Sequence, residues 1–174
     1  MNQKRQPKGT TIGGQFAASK NPESNLVLDD GSRSETDEWG NTFHYNSAGQ
    51  FHRDGGLPAI EYADGSKYYY VNGQLHRDGG LPAIEYADGS KAYYVNGHLH
   101  RDGGLPAVER ADGLKHYYVN GQQHNAHGPA IITARGTREY WLEGRRVLKA
   151  EWESHPDVIA AKKSGDSANE LPSE

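Results

Sequence analysis

HRDGGLPAIEYADGSKYYYVNGQL, residues 52–75, is the stretch that decides the fold, because it recurs in tandem. A second copy, residues 76–99, matches it at 22 of 24 positions, and a third, residues 100–123, at 19. A degenerate fourth unit, HNAHGPAIITARGTREYWLEGRR, covers residues 124–146. Self-similarity at a fixed period of about 20 to 50 residues is the signature of an array in which each unit packs on its neighbours. The chain is therefore a repeat protein.

Two turn signals divide each repeat into strands. Asp64-Gly65 and Asn72-Gly73 are dipeptides that favour two-residue type I′ turns, in which both residues need positive φ. The run between them, KYYYV, is aromatic and β-branched, as strands prefer. Each repeat is thus predicted to form two antiparallel strands, with a long loop, NGQLHRDGG, leading to the next hairpin. The expected fold class is mainly β: tandem 24-residue β-hairpin repeats in a single-layer antiparallel meander, with a short C-terminal helical cap.

The turn assignment also predicts which residues face each other. With the Asp-Gly dipeptide as the turn, Ile60 lies opposite Tyr69. Its neighbour Glu61 lies opposite Tyr68, and opposite residues share a face. The covered apolar face is then expected to hold Ile60, Tyr69, Val71, Ile84, Tyr93, Val95, Val108, Tyr117 and Val119. The side that holds Glu61 is expected to face solvent.

An aromatic residue recurs on that solvent side and suggests a binding stripe. Tyrosine and tryptophan are enriched among binding hot spots. The predicted partner-binding residues are these aromatics and the acids beside them: Tyr70, Tyr94, Tyr118, Trp141, Glu61, Glu85 and Glu109. In the alternative interpretation the rings pack on their neighbours and only stiffen a one-layer sheet. The sequence leaves both open.

The order of these features resembles the MORN repeat. A tyrosine-rich strand, Asn-Gly, a basic loop with His and Gly, a second strand and Ala-Asp-Gly follow one another over residues 39–144. The form HRDGGLPAIEYADG to YYVNG is similar to the variant found in phage proteins and in antitoxin components of the YwqK type. This resemblance implies a scaffold that binds proteins or lipids. Because RDGGLPA replaces the short Gly-x-Gly of ordinary MORN repeats, the lipid-binding role is not carried over.

The N-terminal flank is expected to be a disordered or loosely ordered basic leader, residues 1–36. Within it, PKGTTIGGQFAASKN resembles the KGT and GGQFA segment near the N-termini of many proteins from actinobacteria and their phages. Leu26 to Leu28 are predicted to form one short strand. Residues 37–51 are interpreted as a degenerate cap, in which Tyr45 stands where Tyr69 stands in the first full repeat.

The remaining boundaries follow from the end of the array. The β-hairpin array is predicted to cover residues 37–146, a helical cap residues 147–163 and a disordered tail residues 164–174. A single-layer sheet with one apolar face needs a cover. The side chains expected to plug the final hairpin are Leu148, Trp152, Val158 and Ile159.

Composition narrows the range of functions. The formal net charge of −4 argues against a protein that binds nucleic acid through phosphate neutralisation. With no cysteine the chain has no disulfide and no thiolate ligand, as is usual in a reducing cytoplasm. No apolar run approaches the about 18 residues of a membrane span. A cytoplasmic location is expected, in the host cytoplasm if the gene belongs to a phage.

The repeated histidines are the main candidates for chemistry. Units two strands apart are separated by about 9.6 Å, whereas zinc holds each nitrogen at about 2.0 to 2.1 Å, so His52, His76 and His100 cannot share a metal. His124 and His127 form a close histidine pair in the degenerate fourth unit, for which a metal role stays open. The favoured interpretation is structural: each His-Arg-Asp triplet ties down its own loop. No catalytic residue, metal or cofactor is predicted.

Three classes of function remain. The favoured one is a non-catalytic protein-interaction scaffold, encoded by a phage or mobile element, that binds and occludes a partner protein as an inhibitor or antitoxin-like protein. The alternatives are an assembly accessory of a phage particle and, least favoured, an enzyme with an unrecognised site. The expected partner is a protein, and self-association through a sheet edge or face stays open.

Overall fold

A computed structural model describes residues 26–27 and 31–165 of the chain, and the predictions for residues 1–25, 28–30 and 166–174 lie outside these ranges. The described residues form eighteen short strands and two helices. The bounds are β1 Leu26–Val27, β2 Arg33–Thr36, β3 Thr42–Tyr45, β4 Ile60–Glu61, β5 Lys67–Tyr68, β6 Tyr70–Val71, β7 Gln74–Leu75, β8 Ile84–Glu85, β9 Lys91–Ala92, β10 Tyr94–Val95, β11 His98–Leu99, β12 Val108–Glu109, β13 Lys115–His116, β14 Tyr118–Val119, β15 Gln122–Gln123, β16 Ile131–Ile132, β17 Arg138–Leu142, β18 Arg145–Val147, α1 Lys149–Glu153 and α2 Pro156–Lys163.

Twelve of these strands form one long antiparallel sheet, in the order β1-β2-β3-β4-β5-β8-β9-β12-β13-β16-β17-β18. The other six form three separate two-stranded ribbons, β6-β7, β10-β11 and β14-β15. Each full repeat therefore gives two strands to the sheet and two to a ribbon. The mainly β meander with a C-terminal helical cap is confirmed. The predicted long loop is shorter than expected, because its first residues pair in the ribbon.

The Ala-Asp-Gly turn differs from the prediction. Ile60 pairs with Tyr68, not Tyr69, and Glu61 pairs with Lys67. The predicted register is therefore wrong by one residue. A slip of one residue in one strand moves its side chains to the other face.

The physical reason is a turn of three residues instead of two. The Tyr62 amide donates to the Ser66 carbonyl at 2.9 Å, so Ala63, Asp64 and Gly65 form the loop. Gly65 takes the left-handed conformation, with φ 93°. A three-residue loop of this kind is a type I turn followed by a left-handed glycine.

The Asn-Gly turn follows the prediction. Asn72 and Gly73 have φ values of 48° and 79°, and the turn joins the paired residues Val71 and Gln74. Positive φ at both positions is the requirement of a type I′ turn, which asparagine and glycine meet at little cost.

The corrected register rearranges the faces. Tyr68 lies on the face of Ile60, whereas Tyr69 lies on that of Glu61. Both Ile60 and Tyr69 are buried, so each face of the sheet has its own covered residues. The predicted single covered face is wrong for Tyr69, Tyr93 and Tyr117, which lie on the face of the glutamates. It is also wrong for three valines that are 37 to 39% exposed, Val71, Val95 and Val119.

Tyr69 marks the point where the chain leaves the sheet for the ribbon. Its amide donates to the carbonyl of Ala83 in the next repeat, and its own carbonyl accepts from the His76 amide. The guanidinium of Arg77 lies 3.6 Å from the centre of the Tyr69 ring. Glu85 accepts from Arg77 at 2.9 Å and from the Tyr69 hydroxyl at 3.0 Å. This group of tyrosine, arginine and glutamate, here named the clamp, joins consecutive repeats.

The clamp recurs at the next boundary. Arg101 lies 3.6 Å from the Tyr93 ring centre, and Glu109 accepts from the Tyr93 hydroxyl at 3.2 Å. The Arg101 to Glu109 ion pair measures 3.3 Å. Two boundaries with the same contacts show that the near-identity of the repeats extends to their packing.

The N-terminal half-repeat is offset by one residue from the prediction. The His44 amide donates to the Ala59 carbonyl, as the Tyr69 amide does to its partner in the next repeat. Tyr45 bridges to Phe51, as Tyr70 pairs with its ribbon partner. Tyr45 thus stands where Tyr70 stands, and its assignment to the Tyr69 position is wrong. The hairpin turn between Tyr45 and Phe51 is one residue longer than the Asn-Gly turn.

The leader is also more ordered than predicted at its end. Arg33–Thr36 forms β2, which pairs with both β1 and β3, so residues 33–36 belong to the sheet. The predicted strand at Leu26 to Leu28 appears as Leu26–Val27. The Arg33 guanidinium lies 4.3 Å from the Tyr45 ring centre and covers the first ring of the array.

The C-terminal helices pack on the last hairpin. Val158 and Trp152 are buried against Leu142 and Val147. The Trp152 ring lies 5.0 Å from that of Tyr140, which is the counterpart of Tyr69 in the fourth unit. Trp152 therefore covers the tyrosine that an arginine of a following repeat would cover.

Two residues of the predicted plug do not take part in it. Leu148 is 78% exposed and Ile159 is 41% exposed. Leu148 is the extended residue before α1, so its side chain does not follow the helical period. Ile159 follows the buried Val158, and a helix turns about 100° per residue, which points the Ile159 side chain away from the core.

Arg77→Ala is expected to lower the free energy of unfolding by about 2 kcal/mol, because a largely desolvated cation–π contact contributes about that much. Urea unfolding followed by circular dichroism measures the change. Lys91→Ala removes an exposed cation from the same side of the sheet and should change stability by less than about 0.5 kcal/mol. Equal effects of the two substitutions would contradict the role of the clamp.

Trp152→Ala is expected to destabilise the fold by about 3 to 5 kcal/mol, as for other buried tryptophans. The matched control is Leu148→Ala, at a neighbouring exposed position, which should stay within about 0.5 kcal/mol of the parent. Chemical unfolding measures the free energy of unfolding of both variants. A Trp152→Ala variant as stable as the parent would show that the helices do not close the array.

Candidate interaction face

The structure separates the predicted binding residues into two groups. The acids lie in the clamps or in the equivalent first-unit pair, where each is ion-paired with an arginine: Glu61 with Arg53, Glu85 with Arg77 and Glu109 with Arg101. The aromatics lie on the opposite side, in the ribbons and in β17. The two groups do not form one face, because the register differs by one residue from the predicted one.

The aromatics form a column that runs along the array. Each is half-buried and pairs across its hairpin with a residue on the same face: Tyr70 with Leu75, Tyr94 with Leu99, Tyr118 with Gln123 and Trp141 with Arg146. The column begins one unit earlier than predicted. The Phe51 ring lies 5.0 Å from that of Tyr45 and 5.4 Å from that of Tyr70.

A second set of tyrosines from the sheet lies beside this column. The Tyr68 ring contacts those of Tyr62 at 5.2 Å and Tyr86 at 6.0 Å, both edge to face. Tyr62 and Tyr86 are 37% and 40% exposed. These tyrosines are not among the predicted binding residues, although the three-residue turn register places them on the face of Ile60 and Ile84.

Stacking in the third repeat shows that both sets face the same way. His116 and Tyr118, which correspond to Tyr68 and Tyr70, stack with centroids 6.2 Å apart and planes 13° from parallel. We name this surface the tyrosine face, and it consists of Tyr62, Tyr68, Tyr70, Tyr86, Tyr94 and Tyr118.

The tyrosine face is a source of hydroxyl donors. Burial and contact with Tyr86 raise the pKa of Tyr68 to about 12. Burial also raises the pKa values of Tyr70 and Tyr94. All three phenols therefore stay protonated near neutral pH and present O–H groups.

The strands of the first two repeats add no charge to this face. Their side chains on the tyrosine side are Ile60, Tyr62, Ser66, Tyr68, Tyr70, Leu75, Ile84, Tyr86, Ser90, Ala92, Tyr94 and Leu99. At the N-terminal end of the column Arg33 covers Tyr45, and the next cation on this face is Arg110 in the third repeat, at the position of Tyr62 and Tyr86. Its side chain is 57% exposed, and its nearest carboxylate, that of Asp112, is 3.6 Å away.

The His-Arg-Asp loops on the other surface have a structural role. His52 Nδ1 accepts the Asn72 amide at 3.1 Å, and its Nε2 lies 3.0 Å from the Asp54 carboxylate. Because Nδ1 accepts, the neutral ring carries its proton on Nε2. Arg53 donates to the Pro58 carbonyl at 3.2 Å. The same contacts recur in the next two repeats and support the structural interpretation of the triplet.

Open recesses of about 270 and 290 Å³ lie between successive loops.

Over residues 26–27 and 31–165 no group of three or more His, Asp or Glu side chains is placed to hold a metal ion. In the fourth unit the His127 amide donates to Asn125, and a Cβ added at Gly104 would lie 2.9 Å from the His127 ring.

Neither described helix is long and apolar enough to cross a membrane. No protein-family model matches this chain, and no curated protein matches it.

Stability is expected to decrease as the pH falls. Burial lowers the pKa of His124 below the ordinary 6.5, so the unfolded chain binds this proton more readily than the folded one. The contribution is complete above about pH 6.5 and is lost as the pH falls toward the lowered value. Burial acts in the same direction on His44 and His116.

His124→Asn tests this expectation, because the amide oxygen can replace Nδ1 as acceptor for the Glu143 amide and does not titrate. Urea unfolding at several pH values between about 5 and 7 should give a shallower slope for the variant than for the parent protein. Identical slopes would show that His124 does not contribute.

Proposed function

We propose that this chain is a non-catalytic scaffold that binds a partner protein on the tyrosine face. The observation that carries the proposal is a half-exposed, uncharged set of aromatic rings that recurs from repeat to repeat. Interface centres are depleted of charge and enriched in aromatic residues. Tyrosine supplies a large contact area and a hydroxyl while ordering few torsion angles.

The arrangement of polar groups supports this choice of surface. The repeated Arg and Glu side chains form clamps, and the repeated histidines hold the Asn-Gly turns. Their hydrogen-bonding groups are thus engaged in holding the repeats together. Tyr62 and Tyr86, by contrast, are 37% and 40% exposed.

The rigid array suits binding that covers a partner's surface. Consecutive sheet strands and clamps fix the rings relative to one another before binding, which reduces the ordering cost on association. A partner that is bound along several repeats can no longer use the covered surface to contact other molecules. In this proposal the protein acts by occlusion, as an inhibitor or antitoxin-like protein encoded by a phage or mobile element.

Replacing Tyr94 and Tyr118 together by Ala is expected to reduce partner recovery at least tenfold, since hot-spot truncations cost about 2 kcal/mol or more each. The measurement is quantitative mass spectrometry of proteins that co-purify with the tagged chain from its native cells. Melting temperature is recorded for every variant. Unchanged recovery by a folded double variant would contradict the proposal.

Two further variants complete this experiment. Val71→Ala with Val95→Ala removes exposed apolar side chains from the opposite face of the same ribbons and should leave recovery unchanged. Tyr62→Ala with Tyr86→Ala removes the most exposed rings, so it tests the face even if the half-buried tyrosines prove necessary for folding. This pair is also expected to reduce recovery.

A further inference from the structure

The tyrosine face has a fixed period along the array. Each repeat adds two strands to the sheet, which corresponds to about 9.6 Å across the strands. The rings of Tyr70, Tyr94 and Tyr118 occupy equivalent ribbon positions in successive repeats. A linear ligand that runs along the array therefore meets an equivalent ring about every 9.6 Å.

This period selects among the regular conformations of a bound segment. A polyproline II helix has three residues per turn and advances about 9.3 Å per turn. The nearest helical repeat, seven residues of an α-helix, advances about 10.5 Å. Over the three intervals from Tyr45 to Tyr118, which end in the repeat that contains Arg110, the accumulated mismatch is about 0.9 Å for polyproline II and about 2.7 Å for the α-helix.

An extended strand fits less well for a different reason. Three residues of a strand span about 9.9 Å, but side chains three apart point to opposite faces. A strand would therefore present every second contact away from the tyrosines. A polyproline II helix presents the same side to the tyrosine face at each turn.

The chemistry of the face agrees with a proline-rich ligand. Proline has no amide N–H, so such a segment offers its partner carbonyl acceptors and apolar rings. The tyrosine face offers the complement, namely phenol donors and aromatic surfaces. Grooves lined by aromatic side chains are a recurring binding site for proline-rich segments.

Charge complementarity defines the end of the ligand. The side chains that the strands of the first two repeats place on the tyrosine face carry no charge and match an uncharged run of prolines. The third repeat adds Arg110, whose side chain is 57% exposed. The ion pair of Arg110 with Asp112 is at 3.6 Å and mostly in solvent, so it contributes little. A carboxylate next to the proline run can pair with Arg110 and fix the orientation of the ligand.

We propose that the partner segment on the tyrosine face is a proline-rich stretch of about nine residues in the polyproline II conformation, three turns long, flanked by an acidic residue that pairs with Arg110. This inference rests on the proposed function and names the chemistry of its partner.

The probe is a fluorescein-labelled peptide of nine prolines followed by two aspartates, titrated with the full chain and followed by fluorescence anisotropy. Tyr94→Phe with Tyr118→Phe keeps the rings and removes the donors, and is expected to weaken binding severalfold. Tyr94→Ala with Tyr118→Ala should weaken it at least tenfold. Val71→Ala with Val95→Ala, on the opposite face of the ribbons, serves as the matched control and should bind like the parent.

Two peptides test the conformation and the charge. Nine glycines followed by two aspartates carry the same charge without the preformed helix, and should bind at least tenfold more weakly. Replacing the aspartates of the proline peptide by asparagines should weaken binding to the parent but not to Arg110→Gln. Absence of binding at millimolar protein, equal binding of the glycine peptide, or equal binding to the alanine double variant would overturn the proposal.

Partner recovery from native cells distinguishes failure of this inference from failure of the proposed function. If recovery depends on Tyr94 and Tyr118 while the proline peptide fails to bind, the tyrosine face binds a partner of another chemistry and only this inference falls. If recovery is independent of the tyrosines in a folded variant, both proposals fall.

Discussion

The contact between an arginine of one repeat and a tyrosine of the repeat before it is the constraint on which the structure depends. At Tyr69 the chain leaves the sheet, and the ring would lose its cover if Arg77 were not stacked on it. The flat guanidinium also donates to Glu85 and to the Pro82 carbonyl, so one side chain fixes the tyrosine, the acid and the path of the loop. Lysine cannot replace it, because an ammonium offers neither a flat surface nor a fork of donors.

Both ends of the array use substitutes for this contact. At the N-terminal end His44 takes the tyrosine position, where burial and the nearby Arg53 lower its pKa. At the C-terminal end Trp152 covers Tyr140, and its indole N–H donates to the Asn125 carbonyl at 2.8 Å. Terminal units of a repeat array must close surfaces that an internal unit leaves to its neighbour. The helices meet that need where the repeated arginine is absent.

The clamps also explain why the two sides of the repeats differ. They gather the arginines and glutamates on one side of the sheet, together with the loops that the histidines tie to the turns. The other side keeps tyrosines, isoleucines and buried serines. Charge is thus used for cohesion and aromatic surface is left for contact, which is the basis of the proposed protein-binding role. The same regularity places equivalent rings at a fixed spacing, and that spacing restricts the conformation of a bound segment.

The sequence by itself determined the 24-residue unit, the type I′ Asn-Gly turns, the mainly β meander and the helical segment after it. These follow from local chemistry, since asparagine and glycine tolerate positive φ wherever they occur. It also indicated the aromatic column, because equivalent positions in successive repeats lie in line along the array. Only the tertiary structure decided the register at the Ala-Asp-Gly turn, and with it the faces. Asp-Gly satisfies both a two-residue and a three-residue loop locally; here the three-residue loop buries Ser66, whose hydroxyl accepts the Ala87 amide of the next repeat at 3.0 Å. Local turn preferences cannot predict a contact between residues 21 positions apart. For the same reason they could not predict that the tyrosines and the glutamates lie on different faces.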